Sequence, residues 1–90
     1  MGREFIVNDY VGLAAGTVWH CLGQYGPLNY PDEIMLITGL TEEYVRMAYG
    51  WLSREGKVRM FENTQTGARS VCLTDAEMKI YSERQNNPSS

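Results

Sequence analysis

Cysteine and histidine are scarce in this chain: Cys21 and Cys72 are its only thiols and His20 its only imidazole. No Cys-x-x-Cys spacing or Cys/His pairing occurs, so no metal site is expected, and two buried thiols are a simpler reading than a disulfide. His20 has no acid or nucleophile placed by the sequence to work with it and reads as a surface residue. Long apolar runs are missing too, which argues against a membrane span. The opening MGREFIVND lacks the basic run and apolar stretch of a signal peptide. Gly2 is followed by Ile6 where a myristoylation signal wants Ser or Thr. A cytoplasmic location is therefore expected. A Gly-rich phosphate loop, paired catalytic carboxylates and metal-ligand spacings are likewise lacking, so the expectation is a protein without catalytic residues, metal or cofactor.

What is there is an ordinary globular composition, 43% hydrophobic and 21% charged over 90 residues. That suits one small domain with one core. The formal charge of −3 argues mildly against a protein whose main task is to coat nucleic acid.

Along the chain, NDYVGLAAGTVWHCLGQYG carries Asn8 or Asp9 as a helix cap, then Val11, Ala14, Ala15, Val18, Leu22 and Tyr25 at helical spacing. A first helix is expected from about Asp9 to Gln24, closed by Gly26 and Pro27. PLNY reads as a short extended connector. Pro31 at the first helical position, followed by Asp32 and Glu33, opens a second helix that runs to Thr38 and is ended by Gly39. Thr41 caps a third, with Tyr44, Val45, Ala48, Trp51 and Leu52 on one face and Gly56 at its end. KVRMFEN and ARSVCL alternate with period two on either side of TQTG and predict a hairpin with Gly67 in its turn. TDAE, Thr74 to Glu77, is a capping box that starts a last helix. No internal repeat occurs.

Three helices, a hairpin and a closing helix, with the second and third helices joined at a glycine, make an α+β winged helix-turn-helix. Residues 1–85 form that domain and 86–90 a polar tail. Two stretches sharpen the assignment: Ala15, Gly16, Val18, Trp19 and Leu22, then Thr38, Gly39, Leu40, Ala48, Gly50, Trp51, Leu52, Arg54, Glu55 and Lys57. Their pattern, AGxVWxxL followed by TGLxxxxxxxAxGWLxREgK, resembles a short prokaryotic winged-helix family of unknown function over about residues 10 to 73. The resemblance implies the fold and a loose analogy to transcription regulators, and no particular activity.

On the third helix, Glu42, Glu43, Arg46, Gly50, Ser53 and Arg54 fall opposite the apolar stripe. Arg46, Ser53 and Arg54 are usable base readers; Glu42 and Glu43 are not, and serve the helix dipole instead. From Arg46 to Arg69 five basic residues (Arg46, Arg54, Lys57, Arg59, Arg69) face two acids, Glu55 and Glu62. This is either a phosphate clamp or a hairpin whose charges protect its edges. On the first helix Gly12, Gly16 and Gly23 share a sector with Trp19, away from the main apolar face, and suggest a groove. Its occupant is either intramolecular, the last helix or the EFIV segment, or a partner such as a second copy. Tyr25, Tyr44 and Trp51 read as packing residues rather than base-stacking platforms.

The expected function is a small DNA-binding, regulator-like protein that acts through its third helix and basic wing on double-stranded DNA, as a homodimer. The competing expectation is a protein-interaction module without DNA affinity, favoured by the acidic total and by Glu42 and Glu43.

Overall fold

The computed structural model describes residues 7–86, with side chains from 10 to 85. The elements run α1 (Val7–Tyr25), β1 (Leu28–Asn29), α2 (Asp32–Thr38), α3 (Glu42–Arg54), β2 (Val58–Glu62), β3 (Arg69–Leu73) and α4 (Asp75–Asn86). This is an α+β fold of four helices and a small antiparallel sheet. The expected PLNY connector contributes the extra strand: β1 pairs with β3, Leu28 opposite Val71, so the sheet order is β1-β3-β2. Two residues are too few for an alternating pattern, which is why no strand was legible there.

Apolar periodicity builds the core as expected. Val11, Ala14, Ala15, Val18 and Leu22 of α1 are buried, and α1 packs chiefly on α3 through Val45, Ala48 and Leu52. Ile34 from α2 and Val71 and Leu73 from the sheet close the other sides. Gly39 makes the turn between α2 and α3 at φ 76°, a left-handed conformation that costs a residue with a Cβ more, while its N–H caps Met35 O. Thr41 then caps α3 by accepting from Tyr44 N at 3.3 Å.

Several local expectations are corrected. The first helix begins at Val7, so Asn8 and Asp9 lie in its first turn and not at its cap. Pro31 is the cap residue of α2 and not its first helical residue. Tyr25 is 53% exposed, because α1 ends there and Gly26 turns the chain away before a neighbour can cover it. Trp51 is 38% exposed at the edge of the apolar arc of α3. Trp19, expected outside the main core, is buried, because α4 folds over it. The EFIV segment lies mostly outside the described residues, as does the tail, except that Asn86 ends α4.

The glycine sector is divided. A Cβ on Gly23 would collide with the ring of Tyr81 of α4, so here the groove is filled from within the chain. At Gly12 and Gly16 an added Cβ would meet nothing within 4 Å. Gly23→Ala is therefore expected to destabilise by about 1 to 3 kcal/mol through overpacking. Gly16→Ala should be neutral or stabilise by up to about 1 kcal/mol through helix propensity. Paired thermal melts distinguish the two. Leu52→Ala removes a buried side chain at the α1–α3 contact and should cost about 2 to 5 kcal/mol on chemical unfolding. A loss below about 0.5 kcal/mol would remove Leu52 from the core.

Candidate nucleic-acid interface

The outer face of α3 carries the residues that helical projection puts there: Glu42, Glu43, Arg46, Gly50, Ser53 and Arg54 are all exposed. Its N-terminal half carries a surface acid–base pair. Glu42 lies one turn before Arg46, the favourable order for an acid-base pair on a helix, and accepts from Arg46 Nε at 2.8 Å and Nη2 at 2.7 Å. The Arg46 guanidinium, raised above its ordinary pKa by the hydrogen bond and charge of Glu42, also lies 5.6 Å over the Tyr30 ring. Tyr30 in turn packs on Tyr49 at 5.1 Å between centroids, and burial raises its phenol, against the opposing pull of Arg46. With Glu43 beside this pair, the first turn of α3 carries a net negative charge.

The C-terminal half differs. Arg54 and Ser53 are exposed, and among the described residues no carboxylate lies within ion-pair reach of Arg54. Lys57 pairs with Glu55 at 3.4 Å, with both side chains about 40% exposed, so the pair is weak. The junction behind them is tied down by backbone bonds: Lys57 N to Leu52 O, and Thr74 N to Lys57 O. This fixes the end of α3, the start of β2 and the start of α4 relative to one another.

In the wing, β2 and β3 pair with Val58 opposite Leu73, Arg59 opposite Cys72, Met60 opposite Val71, Phe61 opposite Ser70 and Glu62 opposite Arg69. Alternation therefore sends Arg59 and Phe61 to one face, with Arg59 at 5.0 Å over the Phe61 ring, and Arg69 to the other. The five basic residues do not form one patch: Arg54 ends the helix, Lys57 follows it, Arg59 and Arg69 stand on opposite faces of the hairpin, and Arg46 is taken by Glu42. The turn is closed by Asn63, whose Oδ1 accepts from Gln65 N and Thr66 N, with Gly67 at φ 76°. An Asn with this habit is a turn signal that the TQTG reading passed over.

A second surface lies behind α3. A groove of about 540 Å³ runs between α1, α3 and α4, floored by Gly12, Ala15 and Gly16 and walled by Trp51 and Ile80. Its inner end is closed by Trp19, whose Nε1 donates to Glu77 Oε1 at 2.8 Å and whose ring is flanked by Tyr81 and by Arg84 at 5.1 Å. The capping box is thus half made. Thr74 Oγ1 accepts from Glu77 N, but the Glu77 carboxylate serves Trp19 instead of returning to the Thr74 N–H, which is spent on Lys57 O. His20 is exposed beside Trp19 and Tyr81 in edge contacts. Cys21 is buried, with burial pushing its thiol pKa up, and Cys72 is half-buried; neither is in a disulfide. Among the described residues no helix is long and apolar enough to cross a membrane, and no cluster of three or more His, Cys, Asp or Glu could hold a metal.

Residues 6–73 match the winged helix-turn-helix domain family DUF2582, a family of unknown function, and the chain belongs to it. Neither a curated protein nor a solved structure matches the chain. The family match stops before α4, the helix that closes over Trp19.

Glu77→Ala would leave the buried Trp19 N–H without an acceptor and is expected to cost about 1 to 3 kcal/mol, with Glu77→Gln milder because it keeps an acceptor. Urea unfolding followed by tryptophan fluorescence measures both.

Proposed function

We propose that this member of the family is a small DNA-binding, transcription-regulator-like protein that grips double-stranded DNA with the C-terminal end of α3 and the hairpin, and that works as a dimer. The observation that carries the reading is the partition of charge along the outer surface. Arg54, Arg59 and Arg69 have no carboxylate partner among the described residues, whereas Arg46, in the half of α3 nearer Glu42 and Glu43, is held by Glu42. Unclaimed guanidinium groups release counterions from phosphates, and their forked geometry suits phosphate and guanine. Ser53 stands next to Arg54 as a hydroxyl donor or acceptor for a base edge. The reading carries with it a binding rather than a catalytic role and a cytoplasmic location.

A protein-interaction role without DNA affinity is the second reading. It is favoured by the Glu42–Arg46 pair and exposed Glu43, which together give the N-terminal end of α3 a net negative charge.

Fluorescence anisotropy with a mixed-sequence duplex at low salt separates the two. Wild type is expected to bind, with log affinity falling against log salt at a slope of about −1.8 for two phosphate contacts, Arg54 and the hairpin arginine on the bound face, or about −2.7 if Lys57 leaves Glu55 and joins. Reversing the charge of Arg54, Lys57, Arg59 and Arg69 should abolish binding. Glu43→Gln, which leaves the Glu42–Arg46 pair intact, should change affinity by less than about twofold at a given salt concentration. A marked tightening would instead show that the N-terminal end of α3 enters the DNA. No binding by wild type at low salt would leave the interaction module as the better account.

A further inference from the structure

We propose that the outer face of α2, together with the first turn of α3, docks a protein segment that is both apolar and basic: an amphipathic helix whose aliphatic anchors are flanked by Lys or Arg. This face is separate from the C-terminal end of α3 and the hairpin, so the inference goes beyond the DNA reading and stands or falls without it.

The first observation is apolar exposure. α2 buries Ile34 and half-buries Met35 and Thr38, which leaves Asp32, Glu33, Leu36 and Ile37 outward. Helical spacing is the cause: at about 100° per residue, Ile34, Met35 and Thr38 share one arc and Leu36 with Ile37 falls on the other side. Leu36 is 83% exposed and Ile37 41%. Neither belongs to the core or packs against it, so the fold would be served as well by a polar residue at either position. Adjacent apolar side chains with charged neighbours have the composition of an interface centre and its polar rim.

The second observation is the sign of that rim. From Cys21 to Val45 the chain holds Asp32, Glu33, Glu42 and Glu43 and no Lys, Arg or His. Asp32 stands one turn before Leu36 and Glu33 one turn before Ile37, so each exposed apolar side chain has a carboxylate on its own stripe. Glu33 is anchored there, accepting from Asn29 N at 2.7 Å. The tight turn at Gly39, whose N–H returns to Met35 O, then brings Glu42 and Glu43 close to the last turn of α2. Arg46, the first cation after this run, is held by Glu42. Among the described residues, no cation lies within ion-pair reach of Asp32, Glu33 or Glu43.

Acids in the first turns of α2 and α3 also serve the helix dipoles. That role places carboxylates, but it does not call for Leu36 and Ile37 beside them. The two properties together select the occupant. A phosphate backbone is repelled, an acidic segment is repelled as well, and a purely polar one leaves the apolar pair in water. A helix with aliphatic anchors and flanking Lys or Arg matches both the apolar centre and the charge of the rim.

Isothermal titration calorimetry of the full chain with a helical peptide of Leu and Lys, its Leu residues recurring on one face, tests the docking face. Two control peptides are the same pattern with Glu in place of Lys, and the Leu/Lys composition in scrambled order. The Leu/Lys helix is expected to bind, and each control to bind at least about tenfold more weakly. Leu36→Ser with Ile37→Ser, which lie outside the core and should leave the circular dichroism unchanged, should weaken the Leu/Lys helix by about tenfold or more. Asp32→Asn with Glu43→Gln should weaken it too and flatten its salt dependence. Glu83→Gln, a carboxylate removed from α4 instead, should leave it as in wild type. No binding of the Leu/Lys helix by wild type overturns the proposal. So does equal binding of either control, or binding that survives the loss of Leu36 and Ile37.

Discussion

Everything in this small domain hangs on the packing of α1 against α3. Val18 and Leu22 from one helix meet Val45, Ala48 and Leu52 from the other, and Ala14, Ala15 and Ala48 keep the side chains at the contact short enough for the helices to approach closely. Each fully buried aliphatic side chain contributes about 1.5 to 3 kcal/mol relative to exposure. In a chain of this length that contact is a large share of what offsets chain entropy. The sheet and α2 then have only to close the remaining sides, with Ile34, Val71 and Leu73 as their contributions.

The outer face of α3 follows from the same contact. Once Val45, Ala48 and Leu52 point inward, Glu42, Arg46, Ser53 and Arg54 point outward, and the pairing of Glu42 with Arg46 is settled by one helical turn of spacing. The consequence is a surface whose positive charge is available at the helix C-terminus and in the hairpin. A helix that draws its own arginine back onto its first turn is poorly suited to entering a groove by that end.

The α1 surface left over by the core is unusual for the opposite reason, since from Tyr10 to Tyr25 it holds no Lys, Arg, Asp or Glu. α4 covers one part of it, around Trp19 and Gly23, with a hydrogen bond from the indole to Glu77 and a ring contact from Tyr81. The uncovered part, at Gly12, Leu13 and Gly16, has the same chemistry without an intramolecular occupant among the described residues.

Helix positions, the glycine turn at Gly39, the Thr41 cap, the hairpin and most of the core were legible in the sequence, because each depends on spacing and on backbone preferences that act within a few residues. The Glu42–Arg46 pair also spans only a single turn, although Arg46 was expected to read bases and Glu42 to serve the helix dipole. Contacts between distant segments were not legible in this way. Trp19 became a core residue, and Glu77 its hydrogen-bond acceptor instead of a capping partner, only because α4 returns across α1 from 58 positions away. Strand β1 exists only because β3 supplies its hydrogen bonds. The separation of Arg59 from Arg69 onto opposite faces required the pairing register of β2 with β3, and the division of Gly23 from Gly12 and Gly16 required the path of α4. Local chemistry determined which elements form; which surfaces they leave open was decided by packing between segments that the sequence holds far apart.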